Sequence, residues 1–337
     1  MFRILVVADS ITASTHTAVL QPFDQLVRQG LIQYDLITTD RPIEPWDVLS
    51  HDLVVVQRAI NPSILQLLPW TRKYGKGLIY DLDDNFFAIG ESDHPPGSHF
   101  HRPVVGQVAA RMVRGANLVR AGSRQLAEAL ALMAARVVFR RNSVDLGFID
   151  SLGNKPPGPA PLVVGYSGTA KNNDFQPVVP ALLRLLNEYR GALRLDFMGY
   201  VPGELVGHPA VSFIPFEFDY RQFLRTWWSR SWHIGLAPLR NSHFNNCKTD
   251  IKLREYGAMG VAGVYSDLPN YREIIREGVS GLLVANDPHC WYGAIKRLLD
   301  DPGLRQHIIH HARQTVVQNH SVEKVAWEWW ELISGVA

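Results

Sequence analysis

Short apolar runs alternate with helix-patterned segments along the whole chain, and this alternation constrains the fold more than any other feature. Buried-strand candidates in the first half are Ile4–Ala8, Leu53–Val56, Gly77–Tyr80, Leu118–Ala121 and Val137–Phe139. Helix-like segments lie between them, among them Val19–Gln29, Val105–Arg114 and Arg124–Ala134, the last with Ser123 as its capping residue. Strand–helix–strand repeats return the chain in the same direction each time, so the pattern predicts parallel sheets with crossover helices, the α/β class. It stops at Gly153–Pro161, where four prolines fall in nine residues. Proline lacks an amide proton and has a fixed φ, so neither a helix nor a central strand accommodates this stretch. An interdomain linker is expected at residues 154–161.

The alternation then resumes. Strand candidates are Leu162–Tyr166, Arg194–Met198, Val211–Ile214, His233–Ala237, Val261–Tyr265 and Gly281–Val284. Helices fit Asp174–Tyr189, Tyr220–Trp228, Asp250–Met259, Leu268–Glu277, Pro288–Leu299 and Leu304–Gln318. Two domains follow, 1–153 and 162–318, each a doubly wound sheet with its ligand end at the strands' carboxyl termini. Two such sheets facing one another would leave a cleft. Ser321–Ile333 carries Val322, Val325, Ala326, Trp329 and Ile333 on one stripe, with Ser321 as cap. Trp327 and Trp330 lie off that stripe and call for a second surface. Residues 319–337 are therefore expected to form a closing helix that crosses back to the first domain.

The 337 residues suit two domains, and 46% apolar with 20% charged residues is the make-up of a soluble globular protein. A formal charge of +2 without a basic block gives no reason to expect nucleic acid. Two cysteines, Cys247 and Cys290, are too few for a disulfide framework or a four-ligand zinc site, which points to reducing cytoplasm. The apolar run Met1–Asp9 is too short for a signal peptide and reads as a first strand. No stretch approaches the 18 or so apolar residues of a membrane span, which leaves only peripheral membrane contact open.

The densest chemistry lies in Asn246–Gly260, ahead of the strand-like Val261–Tyr265. Thr249 or Asp250 can cap a helix there, because a short oxygen side chain accepts from the free amides of the first turn. Lys248, Lys252 and Glu255 are spaced four and three apart and so are expected on one face at its start. Two ammonium groups beside the positive end of a helix suit a diphosphate. A carboxylate one turn deeper can accept from the two hydroxyls of a ribose. Together they suit a sugar nucleotide. The plain structural alternative is a surface helix with an i, i+3 salt bridge, worth roughly 0.2–0.5 kcal/mol.

Read in order, the second half gives a strand ending in Gly165–Thr169 and another ending in Met198–Tyr200. Val211–Phe216, His233–Leu239, the lysine–glutamate helix, Leu268–Ile275 and Gly278–Val284 follow. This succession resembles the C-terminal domain of GT-B glycosyltransferases of the family 4 type, the glycosyl transferases group 1 set. The resemblance covers about residues 162–318 and extends into the first half through Ala116–Ser123 and Arg141–Asp145, which is similar to the family's NGVD turn. It implies two Rossmann-like domains facing a cleft, with a nucleotide-sugar donor domain at 162–318 and an acceptor-side domain at 1–153. The family carries two glutamates eight apart on the helix. Glu255 matches the second, which in the family binds the ribose hydroxyls, and the first falls on Cys247. A cysteine does not replace a carboxylate at neutral pH unless its pKa is lowered. Lys248 and Lys252, with Thr249 at the helix start, are then expected to neutralise the diphosphate. The family's other phosphate-binding base falls near Gly168-Thr169-Ala170-Lys171, where Lys171 is the basic candidate and Gly168 lets the backbone approach. Pro215 and Phe216 sit where the family reads the base.

The first domain matches less well. Its loop Asp9–Thr17 lacks the family's glycine pair but is polar, with His16 a candidate for sugar contact. Asp81, Asp83 and Asp84 follow the Gly77–Tyr80 strand, and carboxylates there are costly unless they bind or cap something. Their spacing invites comparison with the metal site of GT-A transferases and with haloacid-dehalogenase phosphatases. A position after the third strand candidate favours an acceptor-side cluster that orients hydroxyls, with Asp83 counted among the catalytic candidates; the structural alternative is capping by Asp83 or Asp84. His94, His99 and His101 have no helical spacing and no fourth ligand, so they are read as an acceptor-side loop and not as zinc ligands.

The resemblance thus implies a cytoplasmic glycosyltransferase that moves a sugar from a UDP, GDP or dTDP donor to a glycan, lipid-linked or protein acceptor. It implies retention at the anomeric carbon, no cofactor and no metal, with Lys248, Lys252 and the helix end stabilising the departing diphosphate. The alternatives are a GT-B sugar-nucleotide epimerase, a non-catalytic nucleotide-sugar-binding protein in view of Cys247, and, last, a phosphatase built on Asp81 and Asp83.

Overall fold

The computed structural model describes residues 1–90, 93, 98–153, 161–169 and 172–336. The expected linker residues 154–160, Lys171 and His94 lie outside them. The chain divides into two compact units: Met1–Asp145 with Asn246–Thr249 and His320–Ala337, and Leu146–Asn245 with Asp250–Asn319.

The first unit is built on an all-parallel sheet of β1 (Phe2–Ala8), β2 (Ile32–Thr38), β3 (Leu53–Gln57), β4 (Gly77–Leu82), β5 (Leu118–Ala121) and β6 (Val137–Phe139), in the order β2-β1-β3-β4-β5-β6. The chain steps outward from β1 to β2 and then crosses to β3, so the order reverses between β1 and β3, where doubly wound sheets hold ligands. Five of these strands match the apolar runs. β2 escapes that reading because it is an edge strand whose Gln33 and Asp35 break up its apolar residues. β4 runs on to Leu82 and so takes Asp81 into the sheet. Side chains alternate between two cores: Leu5, Val7, Val54 and Val56 on one face, Ile4, Val6, Val55 and Ile79 on the other.

The helix expected at Val19–Gln29 is a π turn over His16–Leu20 followed by an α-helix over Gln21–Arg28. Pro22 sits in the first turn of the α-helix and has no amide to give to the Ala18 carbonyl. That carbonyl accepts from Trp329 Nε1 at 2.6 Å instead. Trp329 belongs to the closing helix Val322–Ser334, which Ser321 caps as expected and which packs in this unit. Its ring stands edge-on to Phe23 at 5.1 Å. Trp330 meets Phe2 at 5.8 Å, whereas Trp327 stays half exposed and does not need the cover expected for it.

The second unit has β7 (Leu162–Ser167), β8 (Leu193–Met198), β9 (Val211–Ile214), β10 (Ile234–Ala237), β11 (Ala262–Ser266) and β12 (Leu282–Val284), all parallel, in the order β12-β11-β10-β7-β8-β9. This is the Rossmann order, with its switch point between β7 and β10. The helix expected at Asp174–Tyr189 is split by Pro177 into Asn172–Phe175 and Val179–Glu188, and Leu268–Glu277 shortens to Pro269–Arg272. The short helix Leu146–Ser151 falls with this unit. Arg313 grips Asp150 at 2.7 and 2.8 Å, and Arg221 and Arg225 lie over the Phe148 ring.

The helix Ile251–Met259 is buried at every position from Leu253 to Met259, so it is not the surface helix of the plain alternative. Its seat on the sheet depends on Gly235 of β10, where a Cβ would stand 2.6 Å from the Tyr256 ring. The Tyr256 hydroxyl donates to the Leu236 carbonyl. Among the described residues no helix is long and apolar enough to cross a membrane.

Candidate functional site

In the second unit, β7 delivers Ser167, Gly168 and Thr169 to the switch point. Ser167 is 1% exposed. Gly168 has φ +153°, and a Cβ there would meet the Tyr166 hydroxyl at 2.6 Å, so this turn needs glycine. Lys252, in the first turn of its helix, donates from Nζ to Ser167 Oγ at 2.9 Å and to Glu255 Oε2 at 2.8 Å. Glu255 is 3% exposed. A carboxylate that deep is tolerated only when paired, so this i, i+3 bridge holds a buried charge. Two expected donor-site residues, Lys252 and Glu255, are thereby brought together with Ser167, which was not among the expected site residues. Phe216 packs against Gly199 with its ring half exposed and edge-on to Phe218 at 5.0 Å; Pro215 is exposed. Asn270, just beyond β11, is 3% exposed, and neither its amide oxygen nor its nitrogen has a partner among the described residues.

Lys248 is not on that helix. It precedes the first helical residue and belongs to the first unit. The capping expectation is also corrected: Asp250 occupies the N-cap position but makes no side-chain capping bond, and Thr249 packs its methyl toward Gly122. Cys247, where the family has its first glutamate, is buried in an apolar core of the first unit. Its Sγ accepts from Asn85 Nδ2 at 3.4 Å, and its carbonyl accepts from Ser123 Oγ at 2.6 Å. Burial raises its thiol pKa, the opposite of what a stand-in carboxylate needs.

The three aspartates of the first unit divide in the same way. Asp81 is fully buried in β4 and paired with Arg120, whose guanidinium also binds the Arg141 carbonyl and Asn142 and lies 4.9 Å from the Trp329 ring centre. Burial pushes the Asp81 carboxyl up against the opposing pull of Arg120. It is a core ion pair and not an exposed acceptor group. Asp83 and Asp84 lie just past the strand end, each 8% exposed. Neither serves as a helix cap in the structure. Arg58 Nε touches Asp83 Oδ1 at 2.8 Å, without the geometry of a hydrogen bond. Arg58 Nη2 donates to Asp84, which also accepts from Lys248 Nζ at 3.0 Å. Burial alone would raise the Asp84 carboxyl, but Lys248 and Arg58 outweigh it and hold it well below the usual range. Two cations and two carboxylates balance, so Lys248 neutralises Asp84 rather than standing free for a diphosphate.

The expected polar loop Asp9–Thr17 is helical from Ala13, with Thr12 and Thr15 forming a capping box, and His16 is half-buried at the start of the π turn. His99 and His101 lie in a 3-10 turn, with the His99 ring on Phe100. Among the described residues no group of three potential metal ligands is found. Arg58 went unnoticed in the sequence. Its only mark there is its place directly after a strand, beside the end that carries the aspartates.

The model of the glycosyl transferases group 1 family matches residues 161–301. Among solved structures, HepE of Anabaena with UDP and glucose bound superposes with a TM-score of 0.69 at 15% identity, over 99% of this chain and 100% of that one. Sucrose-phosphate synthase of Thermosynechococcus elongatus gives 0.68 at 13%, over 99% of each chain. A glycosyltransferase of Rickettsia africae gives 0.67 at 13%, over 99% and 98%. No curated protein sequence matches the chain. A Rossmann unit and a second parallel α/β unit with these counterparts have the GT-B fold of glycosyltransferases.

Proposed function

We propose that the second unit binds a nucleoside diphosphate sugar at the β7–β10 switch point, and that the sugar passes to a hydroxyl of a glycan, lipid-linked or protein acceptor with retention of configuration. The observation that carries this reading is the Lys252–Ser167–Glu255 group, a cation and a buried carboxylate side by side where a Rossmann sheet holds its ligand. Lys252 would take the diphosphate, with charge growing on it in the transition state. Glu255 would accept from the ribose hydroxyls. HepE, of the same fold, is seen with UDP and glucose, which makes UDP-glucose the first donor to try. Asp83, just past the end of β4, would receive the acceptor hydroxyl. The engagement of Asp81, Asp83 and Asp84 by Arg120, Arg58 and Lys248 supports a metal-independent route, since these carboxylates already have their countercharge. Two free cysteines fit a reducing cytoplasm.

The reading is tested by incubating the protein with UDP-, GDP- and dTDP-sugars, with and without EDTA. UDP release that survives chelation is expected. Release abolished by EDTA and restored by manganese would refute the metal-free route. An epimeric sugar nucleotide with no free diphosphate would replace transfer by epimerisation. Binding without any turnover would reduce the protein to a donor-binding module.

A further inference from the structure

We propose that Arg58 is a positioning residue for the transfer reaction: its guanidinium holds the side chains of Asp83 and Asp84 in place at the carboxyl end of β4. The inference rests on the reading of Asp83 given above. Arg58 has φ +52°, and a residue with a side chain in this region bears a strain of order 1–3 kcal/mol that persists only where the surroundings impose it. Here they do. The Arg58 amide donates to the Asp81 carbonyl at 2.8 Å, and the Ala59 carbonyl accepts from the Tyr80 hydroxyl at 2.9 Å. The Ile60 amide donates to Asp9 Oδ2 at 2.8 Å. Asp9 follows β1 and Arg58 follows β3, the two strands of this unit's switch point.

The side chain is as constrained as the backbone. Phe86 and Phe100, stacked on each other at 6.1 Å, lie 5.9 and 5.7 Å from the guanidinium carbon. The fork then spans two carboxylates, Nε to Asp83 and Nη2 to Asp84. Two neighbouring carboxylates cannot both stay ionised without such a countercharge. Lys248 supplies a second one, to Asp84. A point-charge ammonium could neutralise the pair, yet only a planar fork fixes both members at once.

The test compares Arg58→Met and Arg58→Lys with wild type in two measurements. Carbodiimide coupling with glycinamide marks protonated carboxyls, and mass spectrometry of the Asp81–Asp84 peptide reads its pH midpoint without any substrate. UDP release from UDP-glucose, with water or a glycan as acceptor, reads turnover, and calorimetry with UDP reads the donor site. In Arg58→Met the labelling midpoint and the acid limb of turnover should both move up by about one pH unit or more, the scale set by a cation beside an aspartate. Turnover should fall at least tenfold while UDP affinity is kept. Arg58→Lys should return both midpoints toward wild type and recover only part of the rate. An unmoved labelling midpoint overturns the proposal outright. A moved midpoint with unchanged turnover, or UDP affinity falling in step with turnover, makes Arg58 a structural residue only. A wild type that neither binds UDP nor releases it rejects the donor-site reading, and the catalytic half of this inference with it.

Discussion

Lys252 and Glu255 show how far a salt bridge's meaning depends on its depth. On a surface the pair would be worth a few tenths of a kcal/mol, but here Glu255 is 3% exposed. Removing Lys252 alone, as Lys252→Met, should cost about 3–5 kcal/mol, because a buried carboxylate is left uncompensated. The double variant Lys252→Met/Glu255→Gln should regain most of that stability and still bind UDP weakly. Denaturant unfolding and calorimetry separate the two effects. A double variant that recovers stability and UDP affinity together would take both residues out of the donor site. Asp84 gives a pH test. Its folded pKa is depressed, so its contribution is present above its unfolded value, near 4, and is lost as pH falls toward the folded one. Asp84→Asn should therefore be destabilised most at neutral pH, with the gap to wild type closing on acidification below about pH 4. A gap constant from pH 7 to pH 3 would contradict the pairing with Lys248 and Arg58.

At the scale of elements, the helix Ile251–Met259 was legible in outline and misleading in detail. Its bounds follow from its apolar residues and Gly260, and they hold because Leu253–Met259 are all buried. Helical spacing also put Lys248 on its face, but spacing carries no information about where a helix begins. The segment Asn246–Thr249 instead belongs to the first unit, where Cys247 fills an apolar core. The motif Asp81–Asp84 was visible as charge, but the strand's true end at Leu82, which separates the buried Asp81 from Asp83 and Asp84, was not. Arg58 left only its place after a strand, since its contacts depend on a positive φ and on partners 25 and 26 residues away. The seat of the helix gives a further test. Gly235→Ala places a methyl into the Tyr256 ring, and overpacking of this kind costs about 1–3 kcal/mol. Tyr256→Leu should relieve part of that loss. If Gly235→Ala is neutral by thermal unfolding, the ring does not lie on β10 as described.

At the scale of the whole molecule, the order of the chain and the composition of the units differ. The last helix in sequence, Val322–Ser334, completes the unit that begins at Met1. Pro22 frees the Ala18 carbonyl, and an indole more than three hundred residues later satisfies it. Trp329 is 1% exposed and joins Phe23 and Arg120, so it closes a core face that β1 and β3 cannot close themselves. Trp329→Ala should cost about 3–5 kcal/mol, the usual loss for a buried aromatic truncated to alanine. Trp329→Phe should cost less, retaining much of the apolar contact but leaving the Ala18 carbonyl unpaired. The loss should also be local. Amide hydrogen exchange should quicken in β1, β3 and Gln21–Arg28, while β7 and β10 keep their protection. Faster exchange confined to β7 and β10 would assign the closing helix to the second unit and undo this account of how the first one is completed.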